Sequence, residues 1–302
     1  MDLSAKTLVV VTGPTASGKT ALAVALAEHY GTEIISADSR QLYRDIPIGT
    51  AAPTPEERGR AFHHLVGILG LDAYYSAARF EEDALAILRT IWRSRDIAVV
   101  CGGSMMYVDA LCHGIDEMPT VSDSVRAYVL SLLDAHSLDG VLAQLQIVDP
   151  DYYAEVDRAN TRRVVHALEV SLEAGVPFSS LRTGRSRSRD FRILKFAISR
   201  DRADLFDRIN RRVDAMIADG LEDEAARAAS HGDFNSLNTV GYKELAAMRR
   251  GEMDRPTAIA RIAKNTRVYA KKQLTWLKRD PDVIWLRPDT AFGDAVRMID
   301  GK

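Results

Sequence analysis

This 302-residue sequence predicts an α/β fold: a core with a mainly parallel sheet flanked by helices, interrupted by an all-helical insertion domain. Three observations carry that prediction. Short apolar runs alternate with helical stretches in the first third of the chain. The glycine-rich segment GPTASGKT, residues 13–20, lies between one such run and a helix. Beyond Gly114 the pattern turns helical, and strand character returns only at residues 192–199.

Residues 8–12 (LVVVT) form a short buried strand. The Ala/Leu-rich helix after the loop ends near Gly31, a residue suited to a left-handed cap. Residues 33–37 (EIISA) form a second strand. Phe80, Ala84, Leu88 and Ile91 recur about a turn apart, which predicts a helix over 80–95 with one buried face. A third strand at 97–101 (IAVVC) is broken by Gly102-Gly103, and a helix starts at Ser104. The stretch 121–175 reads as helical, with Gln146-Ile147-Val148 ambiguous, and 182–190 (RTGRSRSRD) reads as a flexible basic loop. A strand at 192–199, helices over about 201–219, 241–250 and 256–279, a strand at 283–286 and a terminal helix complete the chain. Pro256 falls in the first turn of its helix, where a missing N–H costs nothing. A helical block bounded by strand-bearing segments predicts an insertion, with 1–120 and 187–302 as the core and 121–186 as the inserted domain.

No apolar run reaches the roughly 18 residues of a membrane span, and Met1-Asp2-Leu3-Ser4-Ala5-Lys6 lacks a signal-peptide pattern. Cys101 and Cys112 are too few for a disulfide framework or a four-ligand zinc site and read as core thiols. These features predict a soluble, cytoplasmic protein. The net charge of −2 conceals an asymmetry. Residues 1–120 hold 10 Lys/Arg against 15 Asp/Glu, whereas 158–216 hold 14 against 7, and 255–279 hold 8 basic residues and no acidic one. Two basic runs in one half of an acidic chain point to an anionic polymer as partner. Tyr269 and Trp276, seven apart on one helix face, read as core packing.

GPTASGKT satisfies G-x-x-x-x-G-K-[ST] at every fixed position, in the strand-to-helix context that the motif requires. Gly13, Pro14, Thr15, Ala16, Ser17 and Gly18 would turn backbone N–H groups toward phosphate oxygens, with the helix N-terminus adding its dipole. Lys19 supplies a charge to the terminal phosphates, and Thr20 offers a hydroxyl to Mg²⁺. A kinase or ATPase also needs a carboxylate at a strand end to hold that ion. The third strand ends in cysteine and glycine, so Asp38, at the end of the second strand, is the one candidate. On the residues alone it could be a metal ligand, a turn cap or a proton acceptor.

GPTASGKT, ISADSRQLYRDIPIGTAAP, VVCGGSMMYVDALCHGID, RRVVHALEV, DLFDRINRRVDAMIADGLEDE, NTVGYKEL and TRVYAKKQLTWLKRD together resemble the bacterial tRNA dimethylallyltransferase (tRNA isopentenyltransferase, IPP transferase) family, in family order and over nearly the whole chain. The resemblance implies a P-loop core with a helical insertion that contacts the tRNA anticodon arm. It implies a monomer that moves a dimethylallyl group from dimethylallyl diphosphate to the exocyclic amine of the adenosine 3′ of the anticodon, with Mg²⁺. The loop would then hold a prenyl diphosphate in place of ATP. Two alternatives share the loop: a small-molecule P-loop kinase, and an adenylate isopentenyltransferase that makes free cytokinin.

The resemblance also assigns residues. Asp38 matches the family's general base, and Ser39, Arg40 and Gln41 follow it in the segment that receives the target nucleotide, although Arg40 falls where the family varies. Ser104 stands where the family usually has threonine, beside the transferring oxygen and the base; it keeps the hydroxyl and drops the methyl. Arg212, on the family's R-I-x-x-R pattern, reaches the departing diphosphate, with Arg208 and Arg211 as close competitors. Arg126, Arg162, Arg163 and His166 match RNA-contacting positions, as do Gly241 and Lys243 in the NTVGYK turn. His166 departs from the usual arginine, which makes a phosphate contact weaker or pH-dependent.

Overall fold

The computed structural model describes residues 5–116, 118–184 and 187–301, so part of the basic loop expected at 182–190 lies outside the described residues. The chain divides into two compact units, one of residues 1–113 with 188–302 and one of residues 114–187.

In chain order the larger unit begins with β1 (Thr7–Thr12), α1 (Lys19–Tyr30), β2 (Ile34–Ser36), α2 (Pro55–Arg60), β3 (His63–His64), α3 (Ala77–Ile91), β4 (Ile97–Cys101) and α4 (Met105–His113). The smaller unit holds α5 (Asp123–Val148), α6 (Pro150–Glu155), α7 (Thr161–Ala174) and α8 (Phe178–Leu181). The larger unit resumes with β5 (Arg192–Ile198), α9 (Arg202–Ala218), α10 (Leu221–Ser230), α11 (Tyr242–Arg249), α12 (Arg255–Leu277), β6 (Val283–Leu286) and α13 (Ala291–Ile299).

Among the described residues, six strands form one sheet in the order β3-β2-β4-β1-β5-β6, and every pairing is parallel. Val10 of β1 sits in register between Val100 of β4 and Lys195 of β5. Parallel strands are covered on both faces, which is why β1 and β4 read as unbroken apolar runs. Leu8, Val10, Ile35 and Val100 pack on Phe80, Leu88 and Trp92, and Val9, Val11, Ile34 and Val99 pack on Leu22 and Leu26 of α1 and Ile299 of α13. The crossover helices place the C-terminal ends of the strands along one edge, where ligands bind in such sheets.

The smaller unit has its own core, built from Val129, Val141 and Leu145 of α5 against Val164 and Leu168 of α7. The ambiguous 146–148 stretch is the last turn of α5. Asp149, fully buried, caps α6 through the Tyr152 N–H at 2.9 Å and accepts from the Ser179 backbone N–H and hydroxyl at 2.7 Å each.

β3, α2, α8 and α10 escaped the sequence reading. β3 is only two residues long, below any periodicity. α2 has a capping box, Thr54 and Glu57, in a segment without a buried face. α10 places Glu222, Asp223 and Glu224 in its first turn, where they favour the helix dipole. The expectation of core packing fails for Tyr269 and Trp276, which are 41% and 39% exposed. α12 buries Ala258, Ile262, Ala270, Gln273 and Leu277, and both rings lie at the edge of that face, partly uncovered.

Candidate active site

The glycine-rich loop leaves β1 at Thr12 and enters α1 at Lys19. Gly13 has φ +143°, and a Cβ there would lie 2.8 Å from Ser17 Oγ. Gly18 caps α1 with φ +101°, and the first turn of α1 carries no acidic residue to neutralise the dipole. Side chains from elsewhere in the unit hold the loop's outer surface. Arg208 Nε donates to the Ala16 carbonyl at 2.8 Å, and Arg200 Nε donates to that of Ser17 at 2.6 Å. One turn on from Arg208, Arg212 donates to Thr15 Oγ1 at 3.2 Å. Gln273, 3% exposed, accepts from the Thr15 N–H at 2.9 Å and donates to the Gly103 carbonyl at 2.9 Å.

A cavity of about 430 Å³ opens between this loop, Glu57 of α2 and Arg208, Arg211 and Arg212 of α9. Burial pushes the Lys19 amine down, and Arg212 acts in the same direction, while Cys101 and Asp38 pull it up. Burial likewise lowers the Arg212 guanidinium, against the pull of Asp38 and Glu57. The cavity is therefore a cation-rich, partly dry recess. An anion with several oxygens relieves both groups, because charge pairing offsets the desolvation.

Asp38 sits on a turn fixed from both sides. Its Oδ1 accepts the Arg40 N–H at 3.0 Å. Ser104 Oγ accepts the Ser39 N–H at 2.8 Å and donates to Ser39 Oγ at 3.1 Å, and the Ser104 N–H reaches the Ala37 carbonyl at 3.1 Å. Ser104 thus turns its hydroxyl toward the Asp38 segment, not along α4 as a simple helix cap. Gly102 is required here: a Cβ on it would lie 2.1 Å from the Ala37 carbonyl oxygen.

A second, water-sized cavity of about 10 Å³ touches Lys19, Thr20, Asp38, Gln41, His63 and Cys101. Cys101, expected as a core thiol, is buried but faces this space, and burial pushes its thiol up to about 11. Glu57 and His63 went unnoticed in the sequence, so Asp38 is not the only carboxylate beside the glycine-rich loop: Glu57 lines the larger cavity and Asp38 the smaller. Gln41, expected to meet RNA, commits its amide internally, accepting from Ser36 Oγ and donating to the Ala51 carbonyl at 2.9 Å each. Arg40 donates to the carbonyls of Asn235 and Ser236. Arg211 pairs on the surface with Asp207 at 2.6 Å.

The larger unit therefore brings Lys19, Thr20 and Arg212 to the larger cavity and Asp38 to the smaller one, which Lys19 and Thr20 also touch, while Ser39 and Ser104 fix the Asp38 turn. Gly241 and Lys243 start α11, where the Gly241 N–H donates to Glu244 Oε2 at 2.8 Å and Lys243 is exposed. In the smaller unit Arg162 and Arg163 are exposed on the first turn of α7, and Arg126 Nε lies 3.9 Å from Glu169 Oε1. His166 lies one turn further along α7, exposed to solvent, its ring edge-on to Phe178 at 5.8 Å, and the partial desolvation on that side lowers its pKa despite the nearby Glu169.

Gln273, Arg200, Glu57 and His63 were left unassigned by the sequence, and Arg208 entered it as a competitor of Arg212. A lone glutamine in the lysine-rich KKQLTWLK was the one signal available for Gln273.

The family model described as IPP transferase matches residues 41–280, and one described as isopentenyl transferase matches 6–63. The chain is 50% identical over 283 residues to tRNA dimethylallyltransferase 1 of Phocaeicola vulgatus, covering 94% of each protein. It is 46% identical to tRNA dimethylallyltransferase 2 of Porphyromonas gingivalis, covering 99% of this chain and 100% of that one. The fold resembles the crystal structure of the tRNA isopentenylpyrophosphate transferase from Bacillus halodurans (TM-score 0.72, 32% identity, 98% and 96% coverage). It also resembles a eukaryotic dimethylallyltransferase acting on tRNA (TM-score 0.83, 25% identity, covering 98% of this chain and 79% of that one). A phosphate-binding loop braced by arginines, an aspartate turn held by a serine, and a family match over residues 41–280 agree: this chain belongs to the IPP transferase family.

Proposed function

We propose that this protein is a tRNA dimethylallyltransferase: it joins the exocyclic nitrogen of the adenosine 3′ of the anticodon to the allylic carbon of dimethylallyl diphosphate and releases diphosphate. The observation that carries the reading is the placement of Asp38 on a fixed turn, electrostatically coupled to Lys19 and Arg212 of the diphosphate recess. An adenine amine is a weak nucleophile because its lone pair is shared with the ring. As its N–C bond forms, Asp38 takes the amine proton, a general-base role contributing about 10²–10⁴-fold. The C–O bond breaks with its electron pair going to the diphosphate, whose growing charge is met by Lys19, Arg212 and the loop N–H groups.

Ser104 positions the base through Ser39. The hydroxyl of Thr20 and the carboxylates of Asp38 and Glu57 are hard oxygen donors suited to Mg²⁺, and Thr20 would hold the ion. When bound, Mg²⁺ neutralises charge on the leaving group. The extruded base would be met by Asp38, Ser39 and Ser104, with Arg40 and Gln41 supporting that turn. Arg126, Arg162, Arg163 and His166 of the smaller unit, with Gly241 and Lys243, would meet the anticodon arm of the tRNA. The enzyme would act as a monomer in the cytoplasm.

Incubation with Mg²⁺, dimethylallyl diphosphate and an anticodon stem-loop tests the reading. Mass gain of one dimethylallyl group on the RNA is expected. ATP turnover without transfer would favour a kinase, and prenylation of AMP in preference to the stem-loop would favour an adenylate isopentenyltransferase.

A further inference from the structure

His63 presents an unsatisfied acceptor to the small cavity behind Thr20. Its Nδ1 lies 2.8 Å from the Ala61 carbonyl oxygen. A carbonyl only accepts, so Nδ1 carries the hydrogen, and in the neutral ring Nε2 then holds a bare lone pair. Burial favours that neutral form by lowering the pKa of His63. Nε2 is fully buried and has no hydrogen-bond partner in the protein, a costly state for a polar atom. β3 pairs with β2 so that His63 stands opposite Ile34, on the same edge as Ser36.

The Ser36 hydroxyl and the Gln41 amide that line this cavity are committed elsewhere, which leaves the Lys19 amine as its charged donor. Ser36 Oγ donates to Gln41, and the Gln41 amide donates to the carbonyls of Thr50 and Ala51. Thr20 is hydrogen-bonded with the Cys101 thiol. The cavity of about 10 Å³ that His63 shares with Lys19, Thr20 and Asp38 has room for about one water. Among the described residues, no group of three or more His, Cys, Asp or Glu could hold a metal ion by itself. A magnesium ion at Thr20 would therefore take most of its ligands from phosphate and water, and ion-bound waters are strong donors that need acceptors.

We infer that His63 is an outer-shell acceptor for the divalent cation: its Nε2 takes a hydrogen bond from a water of the ion held at Thr20. The inference rests on reading this recess as a magnesium–diphosphate site. It makes His63 a positioning residue for the metal, not a ligand.

The test binds inorganic pyrophosphate to the full-length protein by calorimetry at stepped Mg²⁺, for wild type, His63→Phe and His63→Gln. In His63→Phe the half-saturating Mg²⁺ should rise about 10–100-fold, while pyrophosphate binding in EDTA stays unchanged. His63→Gln, which restores an acceptor, should recover most of the loss. An unchanged Mg²⁺ requirement in His63→Phe overturns the inference, as does equal loss of binding in EDTA. If His63→Phe does not fold, pulsed EPR of wild type with Mn²⁺ and pyrophosphate decides: weak ¹⁴N coupling supports an outer-shell imidazole, and strong coupling or none refutes it. Failure of wild type to prenylate a stem-loop RNA would instead sink the transferase reading and leave the metal result standing.

Discussion

Gln273 reaches across 258 residues of sequence to accept a hydrogen bond from the Thr15 N–H, and its other amide atom donates to the carbonyl of Gly103. One buried side chain therefore ties the phosphate loop to the glycine pair that precedes Ser104. The tie also explains Gly103, where a Cβ would lie 2.4 Å from Gln273 Nε2. Gln273→Ala leaves a buried donor and a buried acceptor unpaired, and is expected to cost about 2–5 kcal/mol in urea unfolding. Gln273→Glu should retain the Thr15 contact, oppose the Gly103 carbonyl, and weaken pyrophosphate binding through its negative charge.

Asp38 serves two ends that one pair of substitutions separates. Its Oδ1 holds the Arg40 N–H, a contact that an asparagine oxygen reproduces. Asp38→Asn should therefore keep stability and RNA affinity near wild type while turnover falls about 10²–10⁴-fold. Asp38→Ala should show the same loss of turnover with added disorder of the turn. Single-turnover prenylation and filter binding together check this, and full activity in Asp38→Asn would remove the general-base assignment.

Much of this arrangement was legible in the sequence because each signal is local. The loop motif fixes its own conformation, and the apolar runs of β1 and β4 announce a parallel sheet. The parts that were illegible are those that depend on tertiary reach. His63 belongs to a two-residue strand, Glu57 arrives on a helix with no buried face, and Gln273 hides in a basic segment. Tyr269 misled for the same reason: its spacing sets it on the buried side of α12, and how much of the ring is covered depends on the elements that pack there.

The arginine competition on α9 resolves by surroundings. Arg212 is half-buried beside Thr15 and the recess, whereas Arg211 sits exposed at the cavity rim and pairs with Asp207. Arg212→Ala should lower kcat about 10²–10³-fold, the size expected for one donor to developing negative charge. Arg211→Ala should change kcat little. Arg208→Ala removes a brace on the Ala16 carbonyl and should act mainly through weaker pyrophosphate binding.

His166 should make RNA binding depend on pH. Partial desolvation lowers its pKa below the ordinary imidazole value, so the ring is neutral at pH 7.5 and contributes no charge to a phosphate contact. As pH falls through that lowered value the imidazolium forms, so affinity for a stem-loop should rise on acidification. His166→Arg should bind more tightly than wild type at pH 7.5, lose the pH dependence, and steepen the log–log salt slope by about 0.7–0.9. Fluorescence anisotropy at two pH values and several salt concentrations measures all three.

Within β5, Lys195 is a buried cation, 3% exposed, that donates to Asp280 Oδ2 at 2.7 Å and to His113 Nε2 at 2.8 Å. An ammonium only donates, so the imidazole nitrogen accepts. Burial pushes Asp280 up, but the hydrogen bond and charge of Lys195 outweigh it and hold the carboxyl below its ordinary value. A carboxyl with a depressed folded-state pKa stabilises the fold above its unfolded value of about 4, and that contribution disappears as pH falls through the folded value. Removing the partner of a buried charge costs about 3–5 kcal/mol, and the partial exposure of Asp280, 21% of its side chain, places the effect at or below the lower end. Asp280→Asn should accordingly lower the unfolding free energy by about 2–3 kcal/mol at pH 7. The gap between variant and wild type should narrow below pH 4 as Asp280 protonates in the wild type, and a gap that stays constant through that range would show that the ion pair contributes nothing.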